Sequence, residues 1–236
     1  MKISLVIPAY NEEKYIGMCL ESIQAYGQGL FEVIVINNAS TDKTVEIAQS
    51  FSFVRVVDEV RKGLQYARGR GLTEAQGDLV AFIDADTCIP KNWTEKIKNK
   101  FTNNPRIVSL SGPYIYHDVS FLSKVCIWMY FVVLVMPVYF IIGYAAIGGN
   151  LVVRKEAVQS IGGFDETIAF YGDDTDIARR LSKIGKVMFS LDFYMYSSAR
   201  RLKGEGVFAT GLRYAINFFS IVFRGTPYNH EHSDIR

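Results

Sequence analysis

Two acidic clusters in this chain have the residue types and spacing for chemistry. Asp84-Ala85-Asp86 sets two carboxylates two residues apart, directly after the apolar run Leu79-Val80-Ala81-Phe82-Ile83. Both can reach one hard divalent cation, and Mg²⁺ or Mn²⁺ favours oxygen ligands shared with phosphate. A cation there would neutralise a diphosphate leaving group as a Lewis acid. Acidic pairs also fill turns and helix starts, so the weight rests on the position after a strand. The second cluster is Asp173-Asp174-Thr175-Asp176, ahead of Ile177-Ala178-Arg179-Arg180-Leu181. Free N–H groups at a helix start stabilise acids. Capping accounts for one of the three, and a carboxylate held in a cleft can be the general base for an acceptor hydroxyl.

Two further segments are polar or glycine-rich where a ligand would need them. Gly148-Gly149-Asn150 permits close backbone approach to an acceptor or phosphate, and is equally at home in a turn entering a strand. Asn37-Asn38-Ala39-Ser40-Thr41-Asp42 can hydrogen-bond a base or ribose, while Ser40 or Thr41 can instead cap the next helix. Arg200-Arg201 offers guanidinium groups for a diphosphate. His230-Glu231-His232 reads as part of a polar tail rather than a metal site.

The elements that must position these residues follow from periodicity. Short apolar runs alternate with amphipathic stretches, the pattern of a mostly parallel sheet with helices on its faces. Strands are expected over 3–8, 31–36, 54–57 and 79–83. Helices are expected after the first strand, over 41–51 and over 63–75. Function in such sheets collects beyond the carboxyl ends of the strands, which predicts one crevice lined by residues 8–11, 37–42, 55–58 and 84–86. Residues 1–206 would form one domain, in a first half over 1–112 and a second over 113–206. Residues 207–236 would add an amphipathic helix and tail.

Residues 125–147 contain no charged side chain. Roughly 20 apolar residues can cross a bilayer. A single crossing would strand Asp84 and Asp86 on the opposite side from Asp173 and Asp174. Pro137 favours a kink or two short helices, and Trp128, Tyr130, Tyr139 and Tyr144 favour the headgroup level. The apolar segment, taken as 121–147, therefore reads as interfacial or re-entrant, with a buried helix pair as the alternative. Over 207–223, Phe208, Leu212, Ala215, Ile216, Phe219, Val222 and Phe223 recur at helical spacing, near Arg200, Arg201 and Lys203. This is either a helix lying on anionic lipid or a terminal helix docked on the sheet.

Composition narrows the class. The chain has 236 residues, 49% of them hydrophobic and 21% charged, which suits one large α/β domain and excludes a disordered chain. A net charge of +2 gives no global argument for nucleic acid. Three cysteines without metal-ligand spacing read as reduced thiols in a cytoplasmic setting. The first eight residues read as a buried strand rather than a signal peptide.

The order of the motifs is more specific than any one of them. Pro8-Ala9-Tyr10-Asn11-Glu12, then residues 37–42, then Lys62-Gly63-Leu64 with Ala67-Arg68, then Gly77-Asp78 and Asp84-Ala85-Asp86 closely resemble the family 2 glycosyltransferases. Gly149-Asn150, Arg154, Gly162-Gly163-Phe164-Asp165-Glu166 and Gly172-Asp173-Asp174 complete the set. The resemblance implies a GT-A fold and inverting transfer by direct displacement from a nucleotide-diphosphate sugar. It places Pro8, Ala9, Tyr10, Glu12, Asn37, Asn38, Lys62 and Arg68 around the donor, with Asp84 and Ala85. It gives Asp86 the metal and makes Asp174 the base, next to Asp173. Asn37-Asn38-Ala39 replaces the aspartate common in the family's Asp-Gly-Ser loop, leaving uridine or guanosine open. The Gln-x-x-Arg-Trp motif of processive synthases is absent, which implies transfer of a single sugar.

The expected partners are a UDP- or GDP-linked sugar, a lipid-linked or membrane-proximal acceptor and the cytoplasmic face of a membrane. A sugar nucleotidyltransferase would carry a glycine-rich basic loop after its first strand, where this chain has Pro8-Ala9-Tyr10. A degenerate membrane-bound binding module is the remaining alternative, opposed by the intact Asp84, Asp86 and Asp174.

Overall fold

The computed structural model describes residues 1–168, 172–224, 226 and 228, without the side chains of 201, 203, 205, 207–210 and 212. The chain runs β1 (Ile3–Ala9), α1 (Ile16–Tyr26), β2 (Glu32–Asn37), α2 (Thr44–Gln49), β3 (Val54–Asp58), α3 (Leu64–Glu74) and β4 (Leu79–Ile83). It continues through β5 (Thr87–Cys88), α4 (Trp93–Asn103), β6 (Ile107–Ser111), β7 (Tyr114–Tyr116) and α5 (Phe121–Tyr130). A π-helical turn, Phe131–Val135, leads into α6 (Met136–Ile142). Then come β8 (Asn150–Arg154), α7 (Lys155–Ser160), α8 (Asp173–Ser182), β9 (Lys186–Phe189), β10 (Met195–Ser197), α9 (Arg200–Glu205) and α10 (Val207–Arg224).

The seven-stranded sheet has the order β3-β2-β1-β4-β8-β6-β9, and β5, β10 and β7 form a small second sheet. In the large sheet only β8 runs against its neighbours. Alternation in the strands feeds two cores. Ile3, Leu5 and Ile7 face Trp93, Ile97 and Phe101 of α4 on one side. Val6, Val80 and Phe82 face Ala67 of α3 and Ile177 and Leu181 of α8 on the other. Both faces are thus covered by helices, as parallel strands require. Because β8, β6 and β9 continue the sheet of β1 to β4, residues on both sides of position 112 contribute to one sheet.

Two expected elements differ. The helix expected over 41–51 begins at Thr44, because Asp42 first takes the Thr44 amide at 3.0 Å and the Glu13 amide at 3.0 Å. Ser40 and Thr41 do not cap it. Ser40 Oγ accepts from the Asn11 amide, and the Thr41 amide donates to Asn11 Oδ1. The kink or helix pair expected at Pro137 is instead one continuous helix, Phe121–Ile142. Pro137 lacks an N–H and its ring crowds the carbonyl of residue 133, and the π turn just before it takes up the misfit. Gly143, at φ 82°, ends the helix in the left-handed conformation. With 22 residues and a length of about 33 Å, the helix is long and apolar enough to cross a membrane.

Candidate active site

A cleft of about 970 Å³ opens beyond the carboxyl ends of β1 and β4. The carboxyl end of β1 and the loop after it supply Pro8, Ala9, Tyr10 and Glu12 to its wall, and the turn after β2 supplies Asn38. Asn38 is buried, and its side chain fastens the next loop. It donates to the carbonyls of Glu59 (3.1 Å) and Arg61 (2.6 Å) and accepts from the Gly63 amide (2.8 Å). Lys62, on that loop, donates to the Tyr10 hydroxyl at 3.2 Å, so both edges of the cleft mouth meet there. Ala39, next to Asn38, sits at φ 61°, a conformation that glycine takes without strain.

Asp84, Ala85 and Asp86 line the floor. The Asp84 carbonyl accepts from the Thr87 amide and hydroxyl, closing a tight turn that turns both carboxylates into the cleft. Asp84 Oδ2 accepts from the Tyr114 hydroxyl at 2.8 Å. Asp86 is pushed up to about 7, first by burial and then by the charge of Asp84, against the opposing pull of Arg200. Arg200 Nε lies 3.0 Å from Asp86 Oδ2, while its two terminal nitrogens donate to the Glu12 carboxylate at 2.8 and 2.6 Å. Its guanidinium stacks on the Tyr15 ring. Asp118 holds the segment that presents it, accepting from the Ala199 amide at 2.7 Å.

The opposite wall is the start of α8, whose three aspartates divide their roles. Asp173 pairs with Arg68, which is buried and also approaches Asp84 at 4.0 Å. Asp174 accepts from the Thr175 amide at 2.7 Å and faces the cleft. Burial raises it above the ordinary carboxylate value, although Arg68 and two backbone amides pull it down. Asp176 turns inward to Arg180 at 2.7 Å, and Arg180 in turn donates to the carbonyls of Ile161 and Gly163. It braces the Gly162-Gly163-Phe164 loop and takes no part in the cleft. Arg68 Nε is buried without a hydrogen-bond partner in a wall lined by the acids, a donor suited to an anionic ligand.

Glycine is required at two points. A Cβ on Gly149 would lie 2.0 Å from Asp84 Oδ2 and from the Tyr114 hydroxyl, and one on Gly148 would lie 2.4 Å from Arg68. Asn150, grouped with them in the sequence, turns away. It is fully buried and donates to the carbonyls of Gly112 and Phe193, so it joins the two sheets. Asn37 also stays outside, donating to Asp58 at 2.8 Å. The crevice expected at 55–58 does not form, because Arg55 is held by Glu32 and Glu74. The Arg201 side chain, and His230 and His232, lie outside the described residues. The sequence assigns none of Tyr114, Tyr130 and Asp118 a role at the site, and reads Tyr130 only as a residue of the headgroup level. Tyr130 is hidden in an apolar run, and the other two act through contacts far apart in the chain.

A divalent cation at Asp84 and Asp86 fits this geometry in a particular way. Among the described residues no group of three His, Cys, Asp or Glu is arranged to cage a metal. Asp84 and Asp86 supply two acidic side chains whose mutual repulsion a cation would relieve. A hard ion that completes its shell with phosphate oxygens suits such an open pair.

A mostly parallel sheet with paired acids after β4 and a second acidic wall at α8 matches the GT-A architecture of glycosyltransferases. It superposes on a mannosyltransferase from Pyrobaculum calidifontis in complex with GDP-Man and Mn²⁺, with a TM-score of 0.71 at 19% identity, covering 94% of this chain and 64% of that one. It also matches glucosyl-3-phosphoglycerate synthase from Mycobacterium tuberculosis, with a TM-score of 0.65 at 22% identity over 96% of this chain and 81% of that one.

The model described as glycosyl transferase family 2 matches residues 4–162, and that described as the N-terminal domain of galactosyltransferase matches 132–203. The chain belongs to glycosyl transferase family 2. Glycosyltransferase GlyA of Streptococcus pneumoniae serotype 4 (strain ATCC BAA-334 / TIGR4) is 30% identical over 50% of this chain, which covers 17% of GlyA. Probable glycosyltransferase YdaM of Bacillus subtilis (strain 168) is 25% identical over 78% of this chain, which covers 47% of YdaM.

Proposed function

We propose that this chain is an inverting glycosyltransferase that moves a single sugar from a UDP- or GDP-linked donor to an acceptor hydroxyl or phosphate. The observation that carries this reading is the meeting, in one cleft, of Asp84 and Asp86 from the turn after β4 with Asp174 from α8. The acceptor is lipid-linked or membrane-proximal, and the chain works at the cytoplasmic face of a membrane.

Each residue then has a task. Pro8, Ala9, Tyr10, Asn38 and Lys62 bind the nucleoside end of the donor. Asp86 and Asp84 would hold Mg²⁺ or Mn²⁺, which on binding neutralises the diphosphate. Arg68 and Arg200 keep positive charge beside the same group. Asp173 is occupied by Arg68, which leaves Asp174 as the base. Its carboxylate takes the proton of the acceptor hydroxyl as that oxygen attacks the anomeric carbon. The bond to the diphosphate breaks with its electron pair leaving on the phosphate oxygen, inverting the carbon. A fixed base and acceptor remove most of the entropic barrier.

Replacing Asp174 by Asn should lower donor turnover by about 10²–10⁴-fold. Nucleotide binding, measured on the same preparation, should persist. Unchanged turnover would remove Asp174 from the base role. Nucleotide binding without turnover in both proteins would favour the degenerate binding module.

A further inference from the structure

The cleft does not end at the acids. Beyond Asp174 it continues between the helix Phe121–Ile142 and α10, and there its walls turn apolar. On the long helix Ile127, Tyr130, Phe131, Leu134, Val135 and Val138 line it, a stripe at helical spacing. From α10 the facing side chains are Tyr214, Ala215, Phe218 and Phe219. One cavity thus joins a charged floor to a hydrocarbon-lined passage.

The other side of the same helix is apolar as well, and none of the described residues covers it. Phe121, Phe140 and Ile141 are 83%, 74% and 83% exposed. A helix that is apolar all round, with one stripe on an internal passage and the other side open, belongs beside lipid. The passage therefore leads from the acids toward the surface that a bilayer would cover. At about 970 Å³ the joined cavity is at the upper limit for a site holding a single small ligand. Tyr130 stands where the two parts meet, and burial and the nearby charge of Asp174 push its phenol up.

We infer that the passage between Phe121–Ile142 and α10 is a subsite for the hydrocarbon chain of the acceptor, and that it delivers the acceptor headgroup to Asp174. This deepens the function proposed above and rests on it for the destination of the headgroup. The occupant is a single-chain amphiphile with a hydroxyl- or phosphate-bearing head. Tyr130 is a positioning residue at the boundary, its ring among the apolar side chains and its hydroxyl toward the head.

Cys126 lines the same passage and is a free, exposed thiol, so its labelling rate reports occupancy. The test uses the full chain with Cys88→Ser, in phosphatidylcholine nanodiscs, with a small thiol reagent. Two series from butyl to hexadecyl, n-alkyl glucosides and n-alkyl phosphates, are added below their micelle concentrations. At least one series should protect Cys126 about fourfold better per added methylene. The stripe from Ile127 to Val138 spans about 16 Å, so the gain should stop once the chain fills that length. The series that protects better identifies a hydroxyl or a phosphate head. Ala215→Trp should move the limit to shorter chains, whereas Phe140→Ser, on the outer side, should leave it in place. UDP and GDP binding to each sample reports the donor site separately and shows that each variant is folded. Protection that ignores chain length in both series, or that Phe140→Ser shifts as much as Ala215→Trp, would overturn the subsite while nucleotide binding kept the transferase reading intact.

Discussion

At the scale of single residues, chemistry here depends on which carboxylates are already paired. Asp173 and Asp176 face Arg68 and Arg180, and Asp174 alone of that cluster is left to accept a proton. Burial raises Asp174, so its neutral form persists above the ordinary carboxylate range near 4. A base is active only when ionised, so the transfer rate should climb with pH through that raised value. A pH profile of turnover checks this: its acidic limb should lie above the range of a solvent-exposed aspartate, and Asp174→Asn should abolish it. A limb at the ordinary value would mean that another group sets it. The acidic motifs were legible in the sequence because their spacing was local. The division of labour was not, since it depends on Arg68, which lies 105 residues away from its partner Asp173. The same holds for Arg200, which reaches Glu12 across 188 residues.

Elements matter here as devices for close approach. Strand β8 enters the sheet through Gly148 and Gly149, and its backbone passes so near Asp84 and Tyr114 that no side chain fits. Gly149→Ala should push Asp84 off Tyr114, costing about 1–3 kcal/mol of stability by overpacking and weakening nucleotide binding. Gly69→Ala provides the contrast, because Gly69 lies inside α3 with nothing within 4 Å of the added atom. That change should stabilise by up to about 1 kcal/mol through helix propensity and leave binding alone. Thermal melts and nucleotide titrations of the two variants separate the effects; equal behaviour would contradict the packing account. The four leading strands and α3 were readable from periodicity. The antiparallel β8 was not, since direction within a sheet leaves no mark on a short apolar run. Asn150 was misplaced for a related reason: the glycines beside it point to a ligand, but alternation along the strand turns its side chain into the core.

Across the whole molecule, one surface stands apart. The helix Phe121–Ile142 carries its outer face in the open, and Ile216, Phe219 and Phe223 of α10 are exposed beside it at 41%, 43% and 81%. Of the apolar stripe of α10 these three stay uncovered, while Val222 packs against the core and Asn217 and Ile221 are buried. The acids of the one cleft lie on either side of the helix Phe121–Ile142 in sequence, Asp84 and Asp86 before it and Asp174 after it, which opposes a single crossing. Replacing Phe140 and Ile141 together by Ser should reduce co-sedimentation with lipid vesicles severalfold, with nucleotide binding retained. Undiminished co-sedimentation would remove this face from any membrane role. Composition and the run of uncharged residues made the segment visible, but its sidedness appears only once the cleft shows which stripe is internal.

The most direct test of the account is calorimetric titration of UDP and of GDP into the purified chain, each with and without Mn²⁺, for the native protein and for Asp86→Asn. The account predicts that one nucleotide binds, that binding needs the metal, and that Asp86→Asn abolishes the metal-dependent part. Binding that is indifferent to Mn²⁺ and to Asp86, or no binding of either nucleotide in lipid or detergent, would contradict it.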